Sequence, residues 1–120
     1  MNQLYPREQM KAATSVSPVI EEYEEKIPEI RRKMIEALAE ASRRTIMMIL
    51  MQKKEGLSFK ELLDILQPIN NSTLNHHLKI LIRAGMIENT YQKSEQKHVY
   101  SIYRASELGE DITKAVLFRH

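Results

Sequence analysis

Between Asn70 and Gly85 the chain carries polar side chains of the kinds that can bond the edges of stacked bases. Leu74, His77, Leu78 and Leu81 recur at helical spacing and define one face of a helix. Ser72, Thr73, Asn75, His76 and Lys79 fall off that face and point outward by periodicity. In a DNA major groove an Asn amide bonds adenine N6 and N7 together, and His donates to guanine. Ser and Thr take base edges or phosphates. The competing reading is a solvated polar face, and the mixture of Ser, Thr, Asn, His and Lys favours DNA contact over it. His77 lies between Leu74 and Leu81 on the inner side, which makes it a structural histidine bonded to backbone rather than a base contact.

Basic groups elsewhere could hold phosphates. Lys93, Lys97 and His98 cluster around a polar loop at 92–98, with Glu95 diluting the patch. Arg43 and Arg44 stand at a helix start, where backbone N–H groups also attract phosphate. An ion pair with Glu40 or Glu36 is the alternative for them. Lys60, in the first turn of a further helix, is another candidate phosphate contact. Arg31, Arg32 and Lys33 read as a solvated helix face. The net charge is only +2, but it is unevenly spread. Residues 1–28 carry −2, 29–57 carry +3, 58–105 carry +2 and 106–120 carry −1. No carboxylate occurs from Ile65 to Ile87, which suits a segment that approaches phosphates.

Catalytic chemistry finds little to work with. The chain has no Gly-rich phosphate loop, no nucleophile elbow and no His-Glu-x-x-His. His76 and His77 point about 100° apart on a helix, so they do not form a pair. The acids Glu21, Glu22, Glu24 and Glu25 sit at a helix start, where solvation and the helix dipole account for them. The absence of Cys excludes disulfides, thiolate zinc sites and a cysteine nucleophile. No enzyme activity, metal or cofactor is expected. No apolar run approaches the roughly 20 residues needed to span a bilayer, and Met1–Met10 lacks the apolar centre of a signal peptide. A cytoplasmic location is the expectation.

These residues need a scaffold. One hundred and twenty residues allow one domain, with or without an arm. Residues 1–16 are weakly patterned and read as a flexible arm. Ser17-Pro18 is a helix start. Ile20, Tyr23, Ile27, Ile30, Met34 and Leu38 form a helical stripe that Pro28 interrupts, giving a kinked helix or two helices. A helix follows from about Ser42 to Gln52 and ends at Lys53-Lys54-Glu55-Gly56. Ser58 and Glu61 make a capping box for the next, which stops at Gln67-Pro68. The helix at about Ser72–Ala84 begins after Asn70-Asn71 and ends at Gly85. Met86–Tyr91 and Val99–Tyr103 are rich in β-branched and aromatic residues and predict two strands. Ser106 caps a last helix carrying Leu108, Ile112, Ala115 and Val116. Met34, Met47, Met48 and Met51 read as core filling in preference to an adaptable ligand pocket. Tyr100 and Tyr103 read as packing within the strands.

The predicted fold is mainly α with a small antiparallel β-hairpin: a winged helix-turn-helix with flanking N- and C-terminal helices. The units are an arm at 1–16, a helical segment at 17–40, the winged helix-turn-helix at 41–105 and a C-terminal helix at 106–120. The segments Asn71–Leu81 and Arg83–Ile87 together resemble the recognition helix and first wing strand of ArsR-type transcription regulators. Ala41–Met47 looks like that family's helix start, and Lys97–Tyr100 like its second wing strand. The resemblance covers about Leu38–Ser106. The chain departs from the family in Pro68, in the missing metal-binding cysteines and in a longer, acidic N-terminal extension. The resemblance implies a homodimer whose interface is made by the first and last helices. It also implies that Glu107, Glu110, Asp111 and His120 do not match the ligand spacing of the metal-sensing members.

The expected function is a sequence-specific DNA-binding transcription regulator acting on double-stranded DNA. Its base contacts would come from Ser72, Thr73, Asn75, His76 and Lys79. Its backbone contacts would come from Lys93, Lys97, Arg43 and Lys60. One alternative is a winged-helix interaction subunit of a larger assembly, which would expose apolar residues on the same helix face, where Ile80 is the clear one. The other is a non-specific architectural DNA-binding protein.

Overall fold

A computed structural model describes residues 17–118. The arm expected at 1–16 and the terminal His120 lie outside the described residues. Helix α1 spans Pro18–Glu24, with the Ser17 hydroxyl accepting from the Ile20 N–H at 3.2 Å. Pro28 ends the continuity, and α2 spans Glu29–Ala37. The long apolar stripe is thus divided between two helices, because a proline ring clashes with the preceding turn. Helix α3 spans Ala41–Gln52, one residue earlier than expected, with the Glu40 carboxylate as its N-cap. A two-residue strand β1, Leu57–Ser58, precedes α4, Phe59–Ile65, and the capping box of Ser58 and Glu61 is complete. A turn containing a cis Gln67–Pro68 bond leads to α5, Asn71–Arg83. Strands β2, Ile87–Lys93, and β3, Val99–Ala105, follow, and then α6, Glu107–Leu117.

The sheet corrects the expectation of a hairpin alone. It has three antiparallel strands in the order β1-β3-β2. Leu57 pairs with Tyr103 and Ser58 with Ile102, while β2 and β3 pair from Ile87↔Ala105 out to Lys93↔Val99. The strands run two residues further than predicted at one end each, so the wing loop shortens to 94–98. Strand β1 is too short to show alternation in sequence. It exists because β3 offers it a partner.

One core joins the elements from α2 onward, and α1 contributes no buried residue to it. Met34, Ala37 and Leu38 from α2 pack with Ile46, Met47 and Leu50 of α3, Leu62 of α4 and Leu74, Leu78 and Leu81 of α5. The segment 17–40 is therefore not separate from the winged helix: its second half closes the core. Met34 and Met47 are core residues, as expected. Met48 and Met51 are half-buried and line, with Lys54, Glu110, Lys114 and Phe118, an open cavity of about 490 Å³ between α3 and α6. Tyr103 is buried in the core, whereas Tyr100 is exposed.

Two glycines fix how α5 passes into the sheet and how α6 meets it. Gly85 has φ +75°, and the Met86 N–H bonds Leu81 O while the Gly85 N–H bonds Ile82 O. This is the double-bonded left-handed cap that ends helices without leaving their last carbonyls unpaired. Gly109 is needed for a different reason. A methyl group there would lie 2.1 Å from Met86 O, because α6 rests directly on the backbone. Ser106 completes that junction. Its hydroxyl donates to Gly85 O at 2.7 Å and accepts from the Gly109 N–H at 2.8 Å, while its own N–H bonds Met86 O at 2.9 Å.

The two positions should respond differently to alanine. Gly109→Ala must move α6 off rigid backbone and should cost at least the ~1–3 kcal/mol typical of an overpacked core. Gly85→Ala meets no atom closer than 3.8 Å. It should cost only the left-handed conformational penalty of about 1–2 kcal/mol. Urea unfolding of the two variants should rank them in that order.

Candidate nucleic-acid interface

Helix α5 is built with two unlike sides. Asn70 accepts from the Thr73 N–H at 2.8 Å and starts the helix one residue before the expected Ser72. Leu74, Leu78 and Leu81 are 0%, 1% and 0% exposed, which fixes the helix about its axis. Ser72, Thr73, Asn75, His76 and Lys79 are all exposed. Positions 72, 75, 76 and 79 follow the i, i+3, i+4, i+7 rule, so those side chains share one strip. The expected base-contacting set is thus brought together, with Thr73 at its margin. No acidic residue lies on the helix, so nothing within it repels phosphate.

The wing carries the second set. Lys93, Lys97 and His98 are exposed at its distal end. The loop closes through Lys97 N–H to Ser94 O at 2.8 Å and Ser94 N–H to His98 O at 2.9 Å. Lys97 sits at φ +67°, a conformation that costs a residue with a Cβ about 1–2 kcal/mol. The wing has no glycine to take that position, so a lysine occupies it. Lys60 is exposed in the first turn of α4.

Arg43 is placed differently from the other candidates. Its Nε donates to Ala37 O at 2.7 Å, and one terminal nitrogen, Nη1, lies 3.1 Å from His77 Nδ1. Arg44 donates to Leu38 O at 2.9 Å. The two guanidinium groups thus serve the open carbonyls at the end of α2, where cations are favoured. Among the described residues, no ion pair forms between them and Glu40 or Glu36.

His77 is 6% exposed, on the inner face as expected, but its bonding differs from the expectation. It meets side chains, not backbone. Nε2 lies 3.3 Å from Glu40 Oε2, and Nδ1 faces Arg43. An arginine has only donors to offer, so Nδ1 must accept and the ring proton must sit on Nε2, toward the carboxylate. The ring is held as one neutral tautomer. Burial pushes His77 below its ordinary value; Glu40 pulls it up, and Arg43 and His76 push it down. Glu40 itself is held below the usual carboxylate value, first by the backbone N–H of Ser42, then by His77 and Arg43, against some desolvation. One carboxylate therefore caps α3 and orients the imidazole of α5. The cluster was invisible to periodicity, because its members lie 34 and 37 residues from His77.

Among the described residues, no group of three or more His, Asp or Glu side chains is arranged to hold a metal ion. A family model described as a helix-turn-helix domain matches residues 29–90, from the start of α2 into β2. The chain belongs to the helix-turn-helix domain family. That architecture is the one used by DNA-binding regulators, and the matched segment contains both sides of α5. The winged helix extends beyond the match through β3 and α6. No curated protein matches the chain.

The bonding of His77 and Glu40 makes stability depend on pH. A histidine kept neutral by the fold is equally neutral in the unfolded chain above its ordinary value of about 6.5, so stability is full there. As pH falls below that value the unfolded chain takes the proton first and stability declines. Glu40 adds a second loss at more acid pH, below the ordinary carboxylate value. Denaturant midpoints measured across pH should fall below about pH 6.5, and His77→Gln should remove that first decline. A flat profile between neutral pH and about pH 5.5 would contradict a His77 ring kept neutral by the fold.

Proposed function

We propose that this helix-turn-helix protein is a sequence-specific transcription regulator that reads the DNA major groove with the outward strip of α5. The observation that carries the proposal is the division of α5: an apolar side wholly buried, and an opposite side of Ser72, Asn75, His76 and Lys79 wholly exposed. Asn75 and His76 would meet base edges. Ser72, Thr73 and Lys79 would take base edges or backbone. Lys93 and Lys97 of the wing would hold phosphates beside the groove, and Lys60 would add a further backbone contact. Arg43 is committed to Ala37 and His77, which favours an indirect role for it. The sequence resemblance to ArsR-type regulators supports the same reading.

The active form in this proposal is a homodimer. Val19, Ile20 and Tyr23 of α1, and Leu108 and Val116 of α6, are large apolar side chains left exposed, together with Phe118 just after α6. Two copies joined through such surfaces would present two α5 helices about one DNA turn, roughly 34 Å, apart. Ile112, which shares the apolar stripe of α6, packs partly against the core, so it is a poor probe of that interface. Val116 is 54% exposed and suits the purpose. No helix of the described residues is long and apolar enough to cross a membrane.

The contacts have separable signatures. Asn75→Ala and His76→Ala should each cost about 1–3 kcal/mol on the best site and relax preference at one position, with the salt dependence kept. Lys97→Gly preserves the left-handed turn while removing the charge. It should weaken all duplexes alike and lower the salt slope by about one ion. An Asn75→Ala, His76→Ala double variant that binds its best site unchanged would refute the groove assignment. Light scattering should give a dimer at micromolar concentration for the wild type and a shift toward monomer for Val116→Glu. A wild-type monomer would refute the assembly.

A further inference from the structure

The Glu40–His77–Arg43 cluster joins three helices at one point. Glu40 caps α3 through the Ser42 N–H and faces His77 Nε2. Arg43 ties α3 to the end of α2 through Ala37 O, and to α5 through His77 Nδ1. His77 is the buried polar residue of α5, on the same side as Leu74, Leu78 and Leu81 and away from Asn75 and His76. We propose that this cluster is a positioning device for the recognition helix, and that a proton on His77 Nδ1 releases it and lowers the specificity of DNA binding. The proposal rests on the DNA-reading function assigned to α5.

The geometry leaves no room for a second ring proton. With Nε2 already protonated toward Glu40, a proton on Nδ1 would point at the Arg43 N–H groups 3.1 Å away. Donor would then face donor, and cation would face cation. Arg43 has to withdraw, which also strains its bond to Ala37 O. Glu40 acts in the other direction, because it attracts the charged ring and favours the added proton. The other charged groups nearby are few. His76 is the neighbour on α5, with ring centroids 5.7 Å apart. Lys33 and Glu36 of α2 and Arg83 of α5 line, with Arg43, an adjoining open cavity of about 400 Å³. Of these, Glu36 alone is acidic. Burial and the adjacent cations therefore resist the charged ring, so protonation and an undisturbed cluster exclude each other.

Plain electrostatics makes the opposite prediction for affinity. Acidification adds positive charge to a protein and should strengthen binding to every duplex. The distinguishing quantity is the ratio of affinity for a duplex selected from a random pool to affinity for a scrambled duplex of equal length. In the full-length wild type that ratio should fall severalfold from about pH 7.5 to about pH 5.5. It should fall no more steeply than about tenfold per pH unit, the limit for one proton. His77→Gln keeps a donor toward Glu40 and has nothing to titrate, so its ratio should be flat. A second readout needs no DNA. In the free protein, the His77 ring followed by NMR should titrate at higher pH in Arg43→Met than in the wild type, because the opposing cation is gone. A wild-type ratio that does not change with pH, a His77→Gln ratio that falls as the wild type's does, or an unmoved midpoint in Arg43→Met each overturns the proposal. Failure to bind any duplex overturns the DNA reading and this proposal with it, whereas binding with a flat ratio overturns the proposal alone.

Discussion

Leu74, Leu78 and Leu81 disappear from solvent on one side of α5, and what the other side can do follows from that burial. Each leucine contributes about 2 kcal/mol by leaving water. Turning the helix by one residue, about 100°, would expose all three and cost about 6 kcal/mol. A domain of this size has a total stability of only about 5–15 kcal/mol, so the alternative rotation is not populated. Ser72, Asn75, His76 and Lys79 are held outward by that constraint and not by side-chain hydrogen bonds of their own. The polar residue within the buried face, His77, needs partners there, and Glu40 and Arg43 supply them. The same cluster then binds α5 to α2 and α3, so the outward face of α5 is referenced to the whole helical core.

The other end of α5 is referenced to the sheet. Gly85 ends the helix in a left-handed cap, and Ser106 bonds the carbonyls of Gly85 and Met86 from across the wing. Gly109 lets α6 approach Met86 O more closely than any side chain would permit. The root of the wing and the end of α5 thus share one junction. A wing anchored in this way carries Lys93 and Lys97 at its tip without a core of its own. The left-handed Lys97 marks that tip as a place where charge was placed at some conformational cost.

Local rules made much of this legible before any coordinates. The Ser58–Glu61 capping box and the break at Pro28 are decided within four residues and appear as read, while α5 begins one residue before the expected Ser72. The faces of α5 follow from 3.6-residue periodicity alone. What stayed hidden depends on distance along the chain. Strand β1 has two residues and no pattern of its own; it forms because Tyr103 and Ile102 are opposite it. Periodicity placed His77 inside, yet could not name Glu40 and Arg43 as its partners. It suggested backbone in their stead. From the sequence, Arg43 reads as a phosphate contact or as an ion-pair partner of Glu40 or Glu36. Its bond to the carbonyl end of the preceding helix depends on the packing of α2 against α3, which no local pattern shows.

In the proposed function the exposed strip of α5 and the basic wing together form the DNA surface. Amide chemical-shift mapping of the labelled protein with a selected duplex tests it most directly. Amide shifts concentrated at Ser72–Lys79 and at Lys93–His98 are the expected result. Shifts confined to α1 and α6, with the α5 strip silent, would contradict it.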